Sequence, residues 1–239
     1  MQAMIFAAGL GTRLAPFTDN RPKALVNFNG RPMLENVAEK LIKSGVNRLV
    51  INVHHFPDMV IDFIKSRSWD AEVFISDERD FLLDTGGGML KARDLLSGEE
   101  NFLLYNTDIV CDLDVRQLWD THVQANNLAT LSVKDRNSTR KFVFDSDLRL
   151  CGWKNFTTSQ LRMSREVESE PRFLAFSGIS VISSRIFDLI TETGKFSITD
   201  VFLRLAASEK ICGVPYSGFW ADLGTVEKLS IAEREFCKR

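Results

Sequence analysis

The chain has 239 residues, 44% of them hydrophobic, enough to bury a full core in a single folded unit. A formal net charge of −2 argues against a nucleic-acid partner. No apolar run is long enough to span a bilayer, and the apolar start at Met4 is too short and lacks the basic flank of a signal peptide, so a cytoplasmic protein is expected. Cys111, Cys151, Cys212 and Cys237 are widely spaced with no C-x-x-C pair, which disfavours a zinc site or a disulfide framework and predicts reduced structural thiols.

In chain order, Gln2 to Ala7 reads as a buried strand, and the turn after it is the most informative stretch of the sequence. It runs Ala8-Gly9-Leu10-Gly11-Thr12-Arg13-Leu14-Ala15-Pro16, with Thr18 and Pro22-Lys23 just beyond. Gly9 and Gly11 let the backbone turn sharply and bring N–H groups close to an anion. Thr12 adds a hydroxyl, Arg13 a forked donor and Lys23 a point charge, so the loop can neutralise a polyphosphate at two places. A dinucleotide-binding turn wants a third glycine where this chain has Leu14, with no proline two residues on. A P-loop wants Lys and a hydroxyl residue after the second glycine, where Thr12 and Arg13 stand.

Apolar runs at Arg48 to Val53, Glu72 to Ser76, Asn101 to Asn106 and Ala129 to Lys134 predict further strands. They alternate with helical periodicity at Met33 to Ser44, Pro57 to Lys65, Gly87 to Leu96 and Asp114 to Ala125, the rhythm of parallel strands joined by crossover helices. Pro32 and Asp114 stand as helix-start residues. The fold class is therefore α/β, a doubly wound, mostly parallel sheet, with a small β-rich part after Lys134. There Lys141 to Asp145 and Leu148 to Lys154 read as strands around Ser146-Asp147, Asn155 to Arg172 as a polar loop, and Phe173 to Ile182 as a strand. Short helices around Arg185 to Thr191 and Ile198 to Ser208, a strand at Ile211 to Tyr216 and a helix from Thr225 to Cys237 complete the chain as one domain.

Asp108 and Asp222 each follow an apolar run and fall where open α/β sheets place ligands, at the carboxyl ends of strands. Magnesium takes one or two such carboxylates together with substrate phosphates. Turn-forming and capping roles are the alternatives for both. Gly86-Gly87-Gly88 carries a conformational cost unless something approaches the backbone there. His54, His55 and His122 lack metal-site spacing, and Trp69, Trp119, Trp153 and Trp220 read as packing groups.

The run Gly9-x-Gly11-Thr12-Arg13 with Pro16, Thr18 and Pro22-Lys23 resembles the signature of sugar-1-phosphate nucleotidylyltransferases. Asp84-Thr85-Gly86-Gly87-Gly88, Leu174-Ala175-Phe176-Ser177-Gly178-Ile179 and Trp220-Ala221-Asp222-Leu223-Gly224-Thr225 extend the resemblance over nearly the whole chain. It runs most to the N-acetylmuramate-1-phosphate uridylyltransferases of cell-wall recycling, and next to the mannose-1-phosphate guanylyltransferases. The resemblance implies a Rossmann-like nucleotide-diphospho-sugar transferase fold, with residues 1–134 the nucleotide-binding half and 135–239 the sugar-binding and completing half. No appended acetyltransferase or regulatory domain is expected.

It further implies that a nucleoside triphosphate, UTP by preference, is held by Gly9, Leu10, Gly11, Thr12, Arg13 and Lys23, with Gly86, Gly87 and Asn106 also on the nucleotide. Arg13 would steady the leaving pyrophosphate and Lys23 face the α-phosphate, while Asp108 and Asp222 hold Mg2+. The partner would be a sugar 1-phosphate, N-acetylmuramate 1-phosphate by preference, with Asn155, Ser177 and Gly178 as sugar-pocket candidates. The residues leave open a guanylyltransferase, a catalytically silent nucleotide-sugar binding protein and the oligomeric state. Thr107, where many relatives carry a small residue, and the unmatched stretch Asp135 to Arg165 leave the acceptor weakly constrained.

Overall fold

The computed structural model of the chain describes residues 1–167 and 170–238. β1 (Gln2–Phe6) leads into a long loop closed by the hairpin strands β2 (Asn27–Phe28) and β3 (Arg31–Pro32). Three crossovers follow: α1 (Met33–Lys43) to β4 (Arg48–Val53), α2 (Pro57–Lys65) to β5 (Glu72–Asp77), and α3 (Asp84–Lys91) with α4 (Arg93–Leu96) to β6 (Asn101–Asn106). Then come β7 (Ile109–Cys111), α5 (Val115–Ala125), β8 (Ala129–Lys134), β9 (Arg140–Phe144), β10 (Leu150–Asn155), β11 (Leu161–Met163) and β12 (Arg172–Ser183). α6 (Ile186–Leu189), α7 (Ile198–Leu205), β13 (Ile211–Pro215), β14 (Trp220–Asp222) and α8 (Val226–Phe236) end the chain.

The predicted crossovers build a parallel block in the order β5-β4-β1-β6. β1, β4 and β6 are mostly apolar because both faces are covered. Met4, Val50, Phe102 and Leu104 point into one core layer, with Met89, Leu96 and Phe202 from α3, α4 and α7. Ala3, Ile5, Leu49, Ile51 and Leu103 alternate into the other, under Leu34, Val37 and Leu41 of α1 and Leu118 of α5. Caps fix several helix ends: Asp114 accepts from Gln117 N at 3.0 Å and Thr225 from Lys228 N at 3.2 Å, while Asn126 leaves α5 in the left-handed conformation.

Beyond β6 the sheet changes sense. β12 inserts antiparallel beside β6 and pairs antiparallel with β8 and β9, and β8 takes β13 as a parallel neighbour, so the α/β sheet is mixed. β8 thus lies outside the parallel block to which its position in the alternation assigned it. A register break in β12 between Phe176 and Ser180 bends this long strand at Ser177-Gly178. β10 and β11 extend the sheet as an antiparallel edge. The stretch read as a loop, Asn155 to Arg172, contains β11. Its three residues are all exposed and so lack the alternation that marks a strand. Part of that predicted loop, residues 168–169, lies outside the described residues.

Candidate active site

β1 is flanked by β4 on one side and β6 on the other, both parallel to it; the first two crossovers step outward from β1 to β4 and β5, and the third returns past β1 to β6 on its other side. The crevice at the carboxyl ends of these strands is the switch point where such sheets bind ligands. The glycine loop rises from it. Gly11 has φ +69, and a methyl group there would come within 2.9 Å of both Lys23 Cβ and Thr18 Cγ2. The Gly11 carbonyl accepts from Thr18 Oγ1 at 2.9 Å and from Leu14 N at 2.8 Å, which closes a single 3-10 turn over Thr12–Leu14. Leu14 is fully buried against Phe28, Met33, Leu223 and Leu229. The position of a third glycine is thus a core anchor, and no helix opens there.

At the end of β6, Asp108 accepts an ion pair from Lys23. The short strands β7 and β14 pair antiparallel, Asp222 opposite Ile109, and Leu223 N donates to the Asp108 carbonyl at 2.8 Å. This clamp brings Asp222 beside Asp108 from the far end of the chain. Asp222 Oδ1 accepts from Gly224 N at 2.7 Å, and its Oδ2 pairs with Lys228 Nζ at 2.6 Å. A methyl group on Gly224 would lie 2.7 Å from Asp222 Oδ1, 3.2 Å from Arg13 Nη2 and 3.5 Å from Asp108 Oδ2. Arg13, Asp108 and Asp222 therefore converge on the space that glycine leaves free. Burial opposes ionisation of Asp222, but Lys228, the Gly224 N–H and the charge of Lys23 together hold its carboxyl below the usual range.

Two carboxylates facing one space suit a hard cation that takes its remaining ligands from water and phosphate. Among the described residues no group of three or more His, Cys, Asp or Glu side chains forms a complete cage of its own.

A cavity of about 350 Å³ opens next to this centre, lined by Gly9, Lys23, Asn52, Glu78, Asn106 and Asp108 among others. Gly9, Lys23, Asn106 and Asp108 are thus together, as expected, while Leu10, Thr12 and Arg13 lie exposed on the loop, outside the lining. Gly86 and Gly87 are buried behind the wall and outside the lining. The Phe196 carbonyl accepts from both their N–H groups, at 2.9 and 3.2 Å, and methyl groups there would collide with the Phe196 ring and the Gly194 carbonyl. The glycines let α3 seat against residues 194–196, and Asp84 and Thr85 reach the cavity instead.

Thr107 turns its hydroxyl into the sheet, donating to the Phe6 carbonyl, so it does not project as a free branched group. Gly178, φ +81, packs close to Asn106, since a methyl there would be 2.9 Å from Asn106 Nδ2. Ser177 is buried, its carbonyl accepting from Trp220 Nε1 at 3.0 Å. Asn155 is drawn away from the other two. Its Oδ1 accepts from Thr157 N at 2.9 Å and Thr158 N at 3.3 Å, which spends the side chain on its own turn.

Asn52, Glu78 and Lys195 escaped the sequence reading. Asn52 is buried in an otherwise apolar strand, where it accepts from Ala7 N at 2.8 Å and donates to Glu78 Oε1 at 2.7 Å, tying the glycine loop to β5. One polar residue inside Leu49–Val53 was the available signal. Burial pushes the Glu78 carboxyl up, against the hydrogen bonds from Asn52 and Leu83 N.

A family model described as nucleotidyl transferase matches residues 2–239. The chain belongs to this family. It is 30% identical to the N-acetylmuramate alpha-1-phosphate uridylyltransferase of Caulobacter vibrioides, over 97% of this chain and 95% of that protein. It is 27% identical to the mannose-1-phosphate guanylyltransferase catalytic subunit beta of Dictyostelium discoideum, over 94% of this chain and 61% of that protein. These relatives are sugar-1-phosphate nucleotidyltransferases, so the expected class of enzyme stands. The structure of HddC from Yersinia pseudotuberculosis complexed with GMP-PN superposes with a TM-score of 0.78 at 23% identity, covering 98% of this chain and 99% of that one. This agrees with the nucleotidyltransferase fold. No helix among the described residues is long and apolar enough to cross a membrane.

Proposed function

We propose that the protein transfers a nucleotidyl group from UTP to N-acetylmuramate 1-phosphate, releasing pyrophosphate. The observation that carries nucleotidyl transfer is the convergence of Arg13, Asp108 and Asp222 on Gly224, with Lys23 on Asp108, at the switch point of the sheet. In this reading Gly9, Leu10, Gly11, Thr12 and Arg13 receive the triphosphate and Lys23 the α-phosphate, while Asn106 and Gly178 meet at the boundary between nucleotide and sugar. Gly86 and Gly87 act by placing Asp84 and Thr85. Residues 1–134 form the nucleotide half of one domain, and 135–239 supply the acceptor side and Asp222.

A 1-phosphate oxygen attacks the α-phosphorus in line, the new P–O bond forms, the bond to the β-phosphate breaks, and pyrophosphate carries away the negative charge. The monoester is already an anion near neutral pH, so no protein base is required. Arg13 faces the charge that develops on the leaving group, and Lys23 the charge on the transferred phosphate. Asp108 and Asp222 would hold Mg2+, which when bound supplies charge neutralisation between the phosphates. The four unpaired thiols suit a reducing cytoplasm.

UTP and N-acetylmuramate 1-phosphate are favoured by similarity to the Caulobacter vibrioides enzyme over almost the full length of both chains. GTP with mannose 1-phosphate is the second reading, supported by the Dictyostelium discoideum relative. Pyrophosphate release measured with UTP and GTP against both sugar phosphates tests the proposal. A pocket that hydrogen-bonds one base edge rejects the other by leaving polar groups unpaired, so the preference for UTP is expected on the order of a hundredfold in kcat/KM. A better rate with GTP and mannose 1-phosphate overturns the substrate assignment and leaves nucleotidyl transfer standing.

A further inference from the structure

A second cavity, of about 360 Å³, lies on the acceptor side and has an unusual charge balance. Arg136, Arg140, Lys141 and Arg162 line it, against a single acid among the described residues, Asp200. The sheet register explains the gathering. Trp153 on β10 stands opposite Phe142 on β9 and Arg162 on β11, so these three form one row across the sheet. Arg140, two residues before Phe142, points to the same face because side chains alternate along a strand.

The cavity adjoins the reaction centre at two places. Arg136 Nη2 donates to the Phe176 carbonyl at 3.0 Å, and its guanidinium lies 3.7 Å over the ring of Trp220, two residues before Asp222. The segment 195–199 runs between the cavities, with Lys195 lining the nucleotide cavity and Ser197 and Thr199 lining this one.

Its cations are poorly compensated. Arg162 pairs with Asp200 at 2.6 Å and Lys141 with Asp135 at 3.2 Å, but these carboxylates are 49% and 85% exposed, so both pairs are weak. The guanidinium of Arg140 has no partner among the described residues, and Arg136 Nε is buried with no acceptor. A concave surface of one sign with unspent guanidinium donors concentrates anions, and planar carboxylates match the guanidinium fork. The 1-phosphate of an acceptor must lie at Lys23 and Gly224, so this cleft is left for another group of the same molecule. Trp153 and Phe142 supply an apolar wall on which a sugar ring can pack.

We propose that the cleft binds a carboxylate carried by the acceptor sugar away from its 1-phosphate, with Arg140 and Arg162 as the residues that select acidic over neutral sugars. This rests on the nucleotidyl-transfer reading above and deepens its acceptor assignment.

The test compares N-acetylmuramate 1-phosphate with N-acetylglucosamine 1-phosphate, which has the same ring without the carboxylate-bearing ether, in the parent protein, Arg140→Gln, Arg162→Gln and the double variant. In the parent the acidic acceptor is expected to be favoured roughly tenfold or more in kcat/KM. In the variants that ratio falls toward one through a higher KM for the acidic acceptor. Calorimetric titration with the free sugars N-acetylmuramate and N-acetylglucosamine gives a readout that needs no turnover, and it separates failure of the cleft from failure of the enzymatic reading. Binding of the acid alone, lost in the double variant, supports the proposal even if no sugar phosphate is turned over. An unchanged acceptor ratio in the variants, an equal loss on both acceptors, or equal binding of the two free sugars overturns it.

Discussion

Lys228 reaches back from the first turn of α8 to pair with Asp222 at 2.6 Å, while Lys23 pairs with Asp108, so each carboxylate facing Gly224 carries an ammonium partner. A divalent cation drawn to this space competes with both lysines. Lys228 is the weaker competitor, since its side chain is 49% exposed and such pairs contribute no more than about 1 kcal/mol. Lys228→Gln is therefore expected to lower the half-saturating Mg2+ concentration by roughly threefold to fivefold, within that energy. A magnesium titration of pyrophosphate release checks this. An unchanged or higher requirement shows that Lys228 does not compete for the site.

Asp108→Asn and Asp222→Asn keep the shape of each side chain and remove one negative charge from the centre. Each is expected to cost on the order of a hundredfold in turnover, the scale seen when one preorganised electrostatic group is removed. Neither residue belongs to a hydrophobic core layer, so thermal midpoints should stay within a few degrees of the parent. Turnover that survives excess chelator, or near-parental rates in either variant, returns that aspartate to a turn-forming role.

The parallel block was legible because β4, β6 and α2 are continuous local signals, apolar runs for the strands and helical spacing after a proline for α2. Their observed limits, Arg48–Val53, Asn101–Asn106 and Pro57–Lys65, are those read from the sequence. Asp114 was legible for the same reason, since capping is local chemistry. What escaped is tertiary. That Asp108 and Asp222 meet was expected from the resemblance, but the two three-residue strands that join them have little pattern of their own, and nothing near Arg162 announces the row it forms with Trp153 and Phe142. Gly86 and Gly87 were noticed as a backbone approach, but the approaching group is Phe196, and only the packed structure supplies it. Asn155 shows the converse, a polar residue on a promising strand whose hydrogen bonds close its own turn.

Two glycines separate folding from binding. A methyl at Gly87 collides with the Gly194 carbonyl, a backbone atom that cannot rotate away, whereas a methyl at Gly9 meets nothing within 4 Å. Gly87→Ala is expected to destabilise the protein by about 1–3 kcal/mol through overpacking, lowering its thermal midpoint by several degrees. Gly9→Ala should leave the midpoint unchanged and raise KM for the nucleoside triphosphate, because the added methyl stands where the phosphates would approach the loop. Paired melting curves and KM measurements decide. A destabilised Gly9→Ala, or a stable Gly87→Ala, would contradict these roles.

His122 offers a stability test remote from the chemistry. It is 1% exposed, with Nδ1 2.9 Å from Thr130 Oγ1 and Nε2 3.0 Å from Asn101 Oδ1. Thr130 Oγ1 already accepts from Asn127 Nδ2 at 2.9 Å, so its proton is free to point at Nδ1, and the neutral ring then donates from Nε2. Burial lowers its pKa to about 4, against roughly 6.5 in the unfolded chain. The unfolded state therefore binds a proton first as pH falls. The stability contributed by the neutral ring is fully present above about pH 6.5, erodes below it and is gone once the folded form titrates near 4, a total of about 3 kcal/mol. His122→Gln removes this term, so the gap in denaturant midpoint between parent and variant should narrow steadily from pH 7 to pH 4.5. A gap that stays constant over that range would mean that His122 is not held neutral, since titrating carboxylates shift both proteins alike.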